Sequence, residues 1–317
     1  MTDSSHVLSH TRPHQTPEHL TRTALVLGGG GSTGNAWLLG VIAGLAEAGL
    51  EVTRADLIVG TSAGATAAAQ IGGRSPAHLL DDILSAAPPP QPPNRPETGT
   101  SDTARAPMRP VGERLERTNR IIAASADAAD MRRRLGAAAL DLAGMAGESA
   151  QTRWRATVAS RLTRSDWPER RVLFTAVDAQ TGESVVFGRH SGVDLVDAVA
   201  ASCASGFAYG IGDRAYIDGG YRSNADNADV AAGYARVLVL SPLGGRSRTP
   251  AAWGLHLAAQ VETLRAGGSR VETIVPSTSA ENLFGANAMD LALRPTAAQA
   301  GQEQGAAIAL RLAAFWL

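Results

Sequence analysis

Lysine is absent from this chain of 317 residues, and cysteine occurs only once, at Cys203. A lone cysteine forms no intrachain disulfide, so the sequence shows no sign of an oxidising compartment, and we expect Cys203 to be a small buried hydrophobe. A net charge of −1 and 4% aromatic residues give no support to nucleic-acid binding, which needs a basic surface. Neither a signal peptide nor an apolar run of 18 residues occurs. We therefore expect a cytoplasmic protein with no nucleic-acid partner, and peripheral contact with a membrane stays open.

The length and the hydrophobic content of 44% suit one large α/β domain, which we predict over residues 23–317. Residues 1–22 carry four histidines, but Pro13 and Pro17 interrupt any helix that could align them on a metal, so we predict a disordered tail. Eight prolines between residues 88 and 110 predict an extended, mobile loop. A lid over a site and a plain linker are both open for that loop.

The segment Gly60-Thr61-Ser62-Ala63-Gly64 follows the apolar run 57–59 and precedes the helix-favouring run 65–69. This order predicts a strand, a sharp turn and a helix. Small residues suit such a turn because the flanking chains pass close together. The hydroxyl of Ser62 would then lie at a helix N-terminus, where free N–H groups stabilise an oxyanion. Ser62 is therefore a candidate nucleophile for acyl transfer.

A second glycine-rich turn lies upstream at residues 28–34, between the apolar run 24–27 and a helix that we predict over Asn35 to Leu50. Unsubstituted backbone amides in such a loop can surround an anion. Further along, the segment Ala215-Tyr216-Ile217-Asp218-Gly219-Gly220 predicts a short strand that ends in a carboxylate and turns at once.

These three motifs, in this order, resemble the patatin-like phospholipase family over roughly residues 23–241. The resemblance implies an α/β fold with three α/β/α layers and a mostly parallel central sheet. It implies a serine lipid acyl hydrolase of phospholipase A or esterase type that needs no metal or cofactor, with a lipid or other acyl ester as its partner. Carried over by position, Ser62 is the nucleophile and Asp218 is the base. The amides that would form the oxyanion hole are those of Gly29, Gly30, Gly31 and Ala63.

The glycine loop differs from the family pattern at one position. Many members carry Arg or Lys just before the last glycine of the loop, where this chain has Thr33. Backbone donors must therefore suffice at the anion site. The sequence leaves the acyl chain, the position cleaved and the oligomeric state open.

Four alternatives remain on the sequence alone. A triad of the α/β-hydrolase type needs a histidine after the acid, and only His256, which we predict to lie on a helix, follows Asp218. Asp178 is a rival base, although a carboxylate that caps a local turn is the simpler interpretation. Residues 29–34 also satisfy the pattern G-x-G-x-x-G, but the next strand ends without the acidic residue of a dinucleotide site, and no lysine is present for a P-loop. A catalytically silent protein that binds acyl chains, nucleotides or a partner is the last alternative.

Elsewhere the pattern predicts a strand at residues 171–177 that pairs with residues 184–187 across a turn. Helices are predicted at residues 193–204, around 251–267 and from about Thr296 to the end. The last helix carries Ile308, Leu312, Phe315 and Trp316 on one face, which we expect to pack on the sheet.

Overall fold

The structure is a computed structural model that describes residues 22–87 and 111–317. The tail predicted for residues 1–22 lies outside the described residues apart from Arg22. The proline-rich segment 88–110 lies outside them entirely, so both stay predictions, as does the single domain over residues 23–317.

The strands of the described residues form one eight-stranded sheet. They are β1 (Thr23–Leu27), β2 (Leu57–Gly60), β3 (Val172–Asp178), β4 (Ser184–Phe187), β5 (Tyr209–Ile211), β6 (Arg214–Asp218), β7 (Arg236–Leu240) and β8 (Arg270–Ile274). Their order across the sheet is β5-β6-β3-β2-β1-β7-β8, and β4 pairs with β3 off this path. The predicted pairing across the turn after β3 is confirmed, because β3 and β4 are antiparallel neighbours.

The α-helices of the described ranges flank this sheet. They are α1 (Gly31–Glu47), α2 (Ala63–Ile71), α3 (Pro76–Ser85), α4 (Val111–Ala123), α5 (Ala128–Ala146), α6 (Glu148–Ala159), α7 (Leu195–Ser202), α8 (Leu257–Ala266) and α9 (Arg294–Trp316). Short 3₁₀ helices lie at Val52–Arg54, Gly219–Tyr221, Ala228–Ala231, Ala251–Trp253, Thr278–Leu283, Gly285–Asn287 and Leu291–Leu293.

The centre of the sheet is parallel: β1 pairs in parallel with β2 and β7, β2 with β3, and β7 with β8. Antiparallel pairs occur where β3 meets β4 and β6, and where β5 meets β6. The predicted fold class is therefore confirmed: this is a mixed α/β fold with a mostly parallel central sheet between helices. Parallel strands need covered faces, which explains the uninterrupted apolar runs 24–27, 57–59 and 237–240 in the three central strands.

Strand β1 illustrates how one strand supplies both faces of the sheet. Leu25 and Leu27 point into a core shared with α1, α2, α7 and α9. Ala24 and Val26 point into the opposite core, which contains Leu257 and Val261 of α8. Successive side chains of a strand alternate between faces, so four apolar residues are enough to anchor two helical layers.

Helix α9 packs chiefly on α1, because glycines remove the side chains between the two backbones. A Cβ at Gly44 of α1 would lie 2.1 Å from the carbonyl oxygen of Gln302, and one at Gly305 would lie 2.4 Å from that of Val41. The predicted apolar face of α9 is buried at Leu312, Phe315 and Trp316. This face belongs to the same core as Leu238, Leu240 and Ile274 of the sheet, and the guanidinium carbon of Arg270, on β8, lies 5.3 Å from the centre of the Phe315 ring.

Two predicted helix starts are wrong by several residues. Helix α1 begins at Gly31 and not at Asn35, because Gly31 takes a left-handed φ of 67° that turns the loop directly into the helix. Helix α8 begins at Leu257, since Gly254 at φ 66° separates it from a 3₁₀ turn. The last predicted helix is confirmed: α9 begins at Arg294, close to the predicted start near Thr296, with a proline in its first turn.

The register of β3 brings two strand ends together. Gly60, the last residue of β2, lies opposite Phe174, and Asp218, the last residue of β6, lies opposite Ala176. Strands β2 and β6 therefore both end beside residues 174–176 of β3. The turns that follow these strands therefore meet at one place.

Candidate active site

The turn after β2 has the sharp geometry that the sequence predicts. Ser62 has φ 53° and ψ −113°, a left-handed φ that few residues other than glycine adopt. A Cβ at Gly60 would lie 2.6 Å from the Cα of Ala65, and one at Gly64 would lie 1.9 Å from the carbonyl oxygen of Leu27. Only glycine fits at either position without a backbone shift. The two glycines thus allow Ser62 to lie at the tip of the turn.

The backbone of Ser62 is held on both sides by the end of α7. Its N–H donates to Oγ of Ser202 at 2.9 Å, and its carbonyl oxygen accepts from Sγ of Cys203 at 3.1 Å. Cys203 also lies 3.5 Å from Oγ1 of Thr66. Burial raises the pKa of the Cys203 thiol to about 12, with a further contribution from the charge of Asp218. Cys203 is only partly buried, but this environment keeps the thiol protonated, as the prediction of an unreactive cysteine requires.

Asp218 lies beside Ser62 with most of its side chain hidden from solvent. Its Oδ1 accepts from the N–H of Gly220 at 2.8 Å. Burial raises the pKa of Asp218 from 3.8 to about 6, while hydrogen bonds from Gly220 and from the Ser62 side chain, together with the charge of Arg248, oppose the rise. The two predicted partners therefore line the same end of one cleft, and the Ser62 side chain acts on the pKa of Asp218. A carboxyl with a pKa near 6 is ionised at neutral pH and is a stronger base than an exposed aspartate.

The glycine loop lines the same cleft as Ser62 and Asp218. The N–H of Gly29 donates to the carbonyl oxygen of Ala225 at 2.7 Å. Gly29 therefore already has a partner, which narrows the predicted set of oxyanion donors. No partner is found within residues 22–87 and 111–317 for the N–H groups of Gly30, Gly31 and Ala63. These three amides remain for an anion.

All six predicted site residues line one cleft. Besides Ser62 and Asp218, they are Gly29, Gly30, Gly31 and Ala63. Apolar side chains from α3, α4 and α5, such as Ile83, Ile122 and Leu135, continue the lining away from the polar end. The cleft thus combines a polar end with an apolar extension.

A buried asparagine that the motifs did not reveal joins the two strand ends. Nδ2 of Asn227 donates to Oγ1 of Thr61 at 3.0 Å and to the carbonyl oxygen of Gly219 at 2.9 Å. Asn227 has a left-handed φ of 53° and is fully buried. Asparagine tolerates this conformation better than most residues. In the sequence, Asn227 is one of several polar residues between 223 and 228. Nothing in that run indicates which of them connects the two strand ends.

A cation lies beside the glycine loop although Thr33 replaces the basic residue of the family pattern. Nη1 of Arg294, at the start of α9, donates to the carbonyl oxygen of Ser32 at 2.8 Å and to its Oγ at 3.1 Å. Thr33 itself is buried, and its N–H donates to the carbonyl oxygen of Ala288. No local sequence pattern points to Arg294, because it lies 262 positions from Ser32.

Neither rival to this arrangement lies in the cleft. The prediction that His256 lies on a helix is wrong, because it lies directly before α8. Its Nε2 lies 2.8 Å from the carbonyl oxygen of Thr249. Asp178 accepts from the N–H groups of Gln180 and Thr181 and forms an ion pair with Arg214 at 2.9 Å. Burial pushes the pKa of Asp178 upward, but these hydrogen bonds outweigh it and hold the pKa below its usual value. Both residues serve local structure.

A family model for patatin-like phospholipases matches residues 25–231, about two thirds of the chain. The chain belongs to the patatin-like phospholipase family. No curated protein matches it. Among solved structures, the crystal structure of VipD from Legionella pneumophila is similar at 13% identity, with 92% of this chain and 67% of that chain covered and a TM-score of 0.40.

Membership of this family makes the protein, in general terms, a lipid acyl hydrolase with a lipid ester as substrate. Within the two described ranges, no helix has the length and apolar character to cross a membrane. The same ranges contain no cluster of three or more histidine, cysteine or acidic side chains arranged around a metal site.

Proposed function

We propose that the protein is a serine hydrolase that cleaves acyl esters of phospholipids or related lipids with Ser62 and Asp218 as a catalytic dyad. The observation that carries this proposal is the meeting of a strained serine, a buried carboxylate and three free amides at the polar end of one cleft. Each group matches a need of acyl transfer: a nucleophile, a base and donors for an oxyanion.

In the first half-reaction, the Asp218 carboxylate accepts the proton of the Ser62 hydroxyl while Oγ attacks the ester carbonyl. The negative charge on the carbonyl oxygen is stabilised by the N–H groups of Gly30, Gly31 and Ala63. When the intermediate collapses, the C–O bond of the ester breaks and Asp218 returns the proton to the departing alcohol. Ser62 is then acylated.

In the second half-reaction, Asp218 accepts a proton from water, which attacks the acyl-serine through the same oxyanion geometry. Collapse releases the carboxylic acid, and Asp218 returns the proton to Oγ of Ser62. No third residue is needed because the carboxylate reaches the hydroxyl directly, and its raised pKa improves the base. We keep the cytoplasmic location, with contact at a membrane surface, as part of this proposal.

The deciding experiment is labelling with a fluorophosphonate probe together with turnover of 4-nitrophenyl butyrate. Wild type should be labelled and active. Ser62→Ala should be neither, with an unchanged circular-dichroism spectrum, because the substitution removes one oxygen atom from a partly exposed side chain. Retained turnover in a folded Ser62→Ala variant would refute the proposal.

A further inference from the structure

The cleft is strongly basic although the chain as a whole is nearly neutral. Among the described residues, eight arginines line it against three carboxylates, and one of those carboxylates is Asp218. The net charge of the whole chain is −1. The excess positive charge is therefore a local property of the cleft, and a cleft lined by one sign of charge attracts ligands of the other sign.

Arg294 is the most firmly held of these arginines. Besides its two bonds to Ser32, its Nη1 and Nη2 both donate to Oδ1 of Asn35 at 3.3 Å. Every one of these acceptors is uncharged, and no carboxylate of the described residues lies within ion-pair distance of Arg294. Burial lowers the pKa of Arg294, and the charge of Arg161 lowers it further. The guanidinium thus has a fixed position and no counter-ion.

Arg161, which follows α6, is the second cation of this pair. Its guanidinium carbon lies 5.7 Å from the centre of the Trp154 ring. The indole is itself fixed, since its N–H donates to the carbonyl oxygen of Ala200 at 3.1 Å. Within the described ranges Arg161 also has no carboxylate within ion-pair distance. Arg161 is exposed and lines the same cleft as Ser62 and Arg294.

A chain of side-chain amides connects the two arginines with that turn. Asn35, which accepts from Arg294, donates through Nδ2 to Oε1 of Gln70 at 2.9 Å and to the carbonyl oxygen of Ala63 at 3.4 Å. Nε2 of Gln70 donates to the carbonyl oxygen of Arg161 at 3.0 Å. Four elements, α9, α1, α2 and the end of α6, thereby connect the guanidinium of Arg294 and the backbone of Arg161 with the residue next to Ser62.

We propose that Arg161 and Arg294 bind an anionic group of the substrate, a phosphate or a carboxylate, while its ester lies at Ser62. This inference rests on the proposed hydrolase function and adds the two residues that bind the anionic group of the substrate. Two guanidinium groups that line one cleft and lack counter-ions are stabilised by an anion bound in that cleft. Their planar donors match the paired oxygens of phosphate and carboxylate.

The test compares two soluble substrates that differ in their charge. They are dihexanoyl phosphatidylglycerol and neutral dihexanoylglycerol, both below their critical micelle concentrations. The ratio of kcat/KM for the anionic substrate to that for the neutral one should fall about tenfold or more in Arg161→Gln and in Arg294→Gln, because each loses a charge-assisted hydrogen bond. Arg311→Gln is the matched control, since Arg311 also lies on α9 but is exposed and pairs with Glu272; its ratio should equal that of wild type.

An unchanged ratio in both cleft variants, with wild type active on both substrates, would overturn the inference and leave the hydrolase intact. Wild type that hydrolyses neither substrate would instead refute the hydrolase. The anion site is then judged by calorimetry on Ser62→Ala: phosphatidylglycerol should bind, and adding Arg161→Gln or Arg294→Gln should abolish the binding. Inorganic phosphate that binds as tightly as the lipid would identify a site for free phosphate and overturn the assignment to the substrate.

Discussion

The amide of Ser62 and the hydroxyl oxygen of Ser202 form a hydrogen bond of 2.9 Å between the turn after β2 and the end of α7. Ser202 is fully buried, so water cannot replace it as the acceptor. The left-handed φ of Ser62 costs free energy, and this bond is one of the contacts that hold the residue there. The position of the proposed nucleophile thus depends on a helix 140 residues away in the sequence.

We expect Ser202→Ala to lower both stability and turnover. The substitution leaves a buried N–H without an acceptor, which costs about 1–3 kcal/mol of unfolding free energy, and it frees the turn that carries Ser62. Urea denaturation and kcat/KM for 4-nitrophenyl butyrate measure the two effects. Ser85→Ala is the control, because Ser85 is exposed and bonds only within its own helix. Equal behaviour of the two variants would show that the Ser62–Ser202 bond is unimportant.

The sequence predicts the parts of the site that depend on local order. Strand, turn and helix around Ser62 follow from consecutive residue types, and Gly60 and Gly64 indicate the close approach that the structure contains. Ser202 and Asn227 could not be found in this way, because a polar residue at a helix end or in a loop fits many local roles. Their function depends on which strands are neighbours, and only the folded sheet determines that.

The glycine loop shows the same limit at finer scale. The run of glycines identifies a turn that can surround an anion, yet it does not say which amides remain free. The carbonyl oxygen of Ala225 binds the N–H of Gly29, and this partner comes from a loop nearly 200 residues further along the chain. The predicted position of His256 on a helix is wrong for a related reason. Gly254 has a left-handed φ, so α8 begins only at Leu257, after His256.

The pH profile should report the ionisation of Asp218. Because burial raises its pKa to about 6, and the base must be ionised, kcat/KM of wild type should be constant above that pH and fall about tenfold per unit below it. Asp218→Asn should lower the rate by about 10² to 10⁴ at neutral pH. His256→Ala should retain most activity and the same profile. An inactive His256→Ala variant beside an active Asp218→Asn variant would favour the triad.

Gly31→Ala should slow turnover far more than it weakens binding. Gly31 has a φ of 67°, and a Cβ there would lie 2.6 Å from the carbonyl oxygen of Ala288, so the N–H must move. Loss of one oxyanion donor costs about 2.7–4 kcal/mol at the transition state. Steady-state kinetics and the dissociation constant of a fatty-acid product separate the two effects. Gly144→Ala, on α5 with open space around it, should behave like wild type, and equal losses in kcat and in binding for Gly31→Ala would argue against a donor role.

Asp226 should make the protein less stable as the pH rises. Its side chain is buried behind the glycine loop, and its Oδ1 finds no hydrogen-bond partner in the described part of the chain. Burial raises its pKa from 3.8 to about 7, although a hydrogen bond with Ser241 opposes the rise. The folded state therefore holds the proton more tightly than the unfolded chain. The resulting stability is complete below pH 3.8 and is lost as the pH rises through 7.

Asp226→Asn tests this directly, because it removes the titrating group and keeps the shape. Each pKa unit corresponds to about 1.4 kcal/mol, so the unfolding free energy of wild type should fall between pH 5 and pH 8 by a few kcal/mol more than that of Asp226→Asn. Urea denaturation at the two pH values measures this difference. Asp141→Asn, at an exposed position on α5, should lose as much stability as wild type over the same interval. If Asp226→Asn also does so, then Asp226 is not the group that titrates, and its carboxyl must find a partner that keeps it ionised in the folded state.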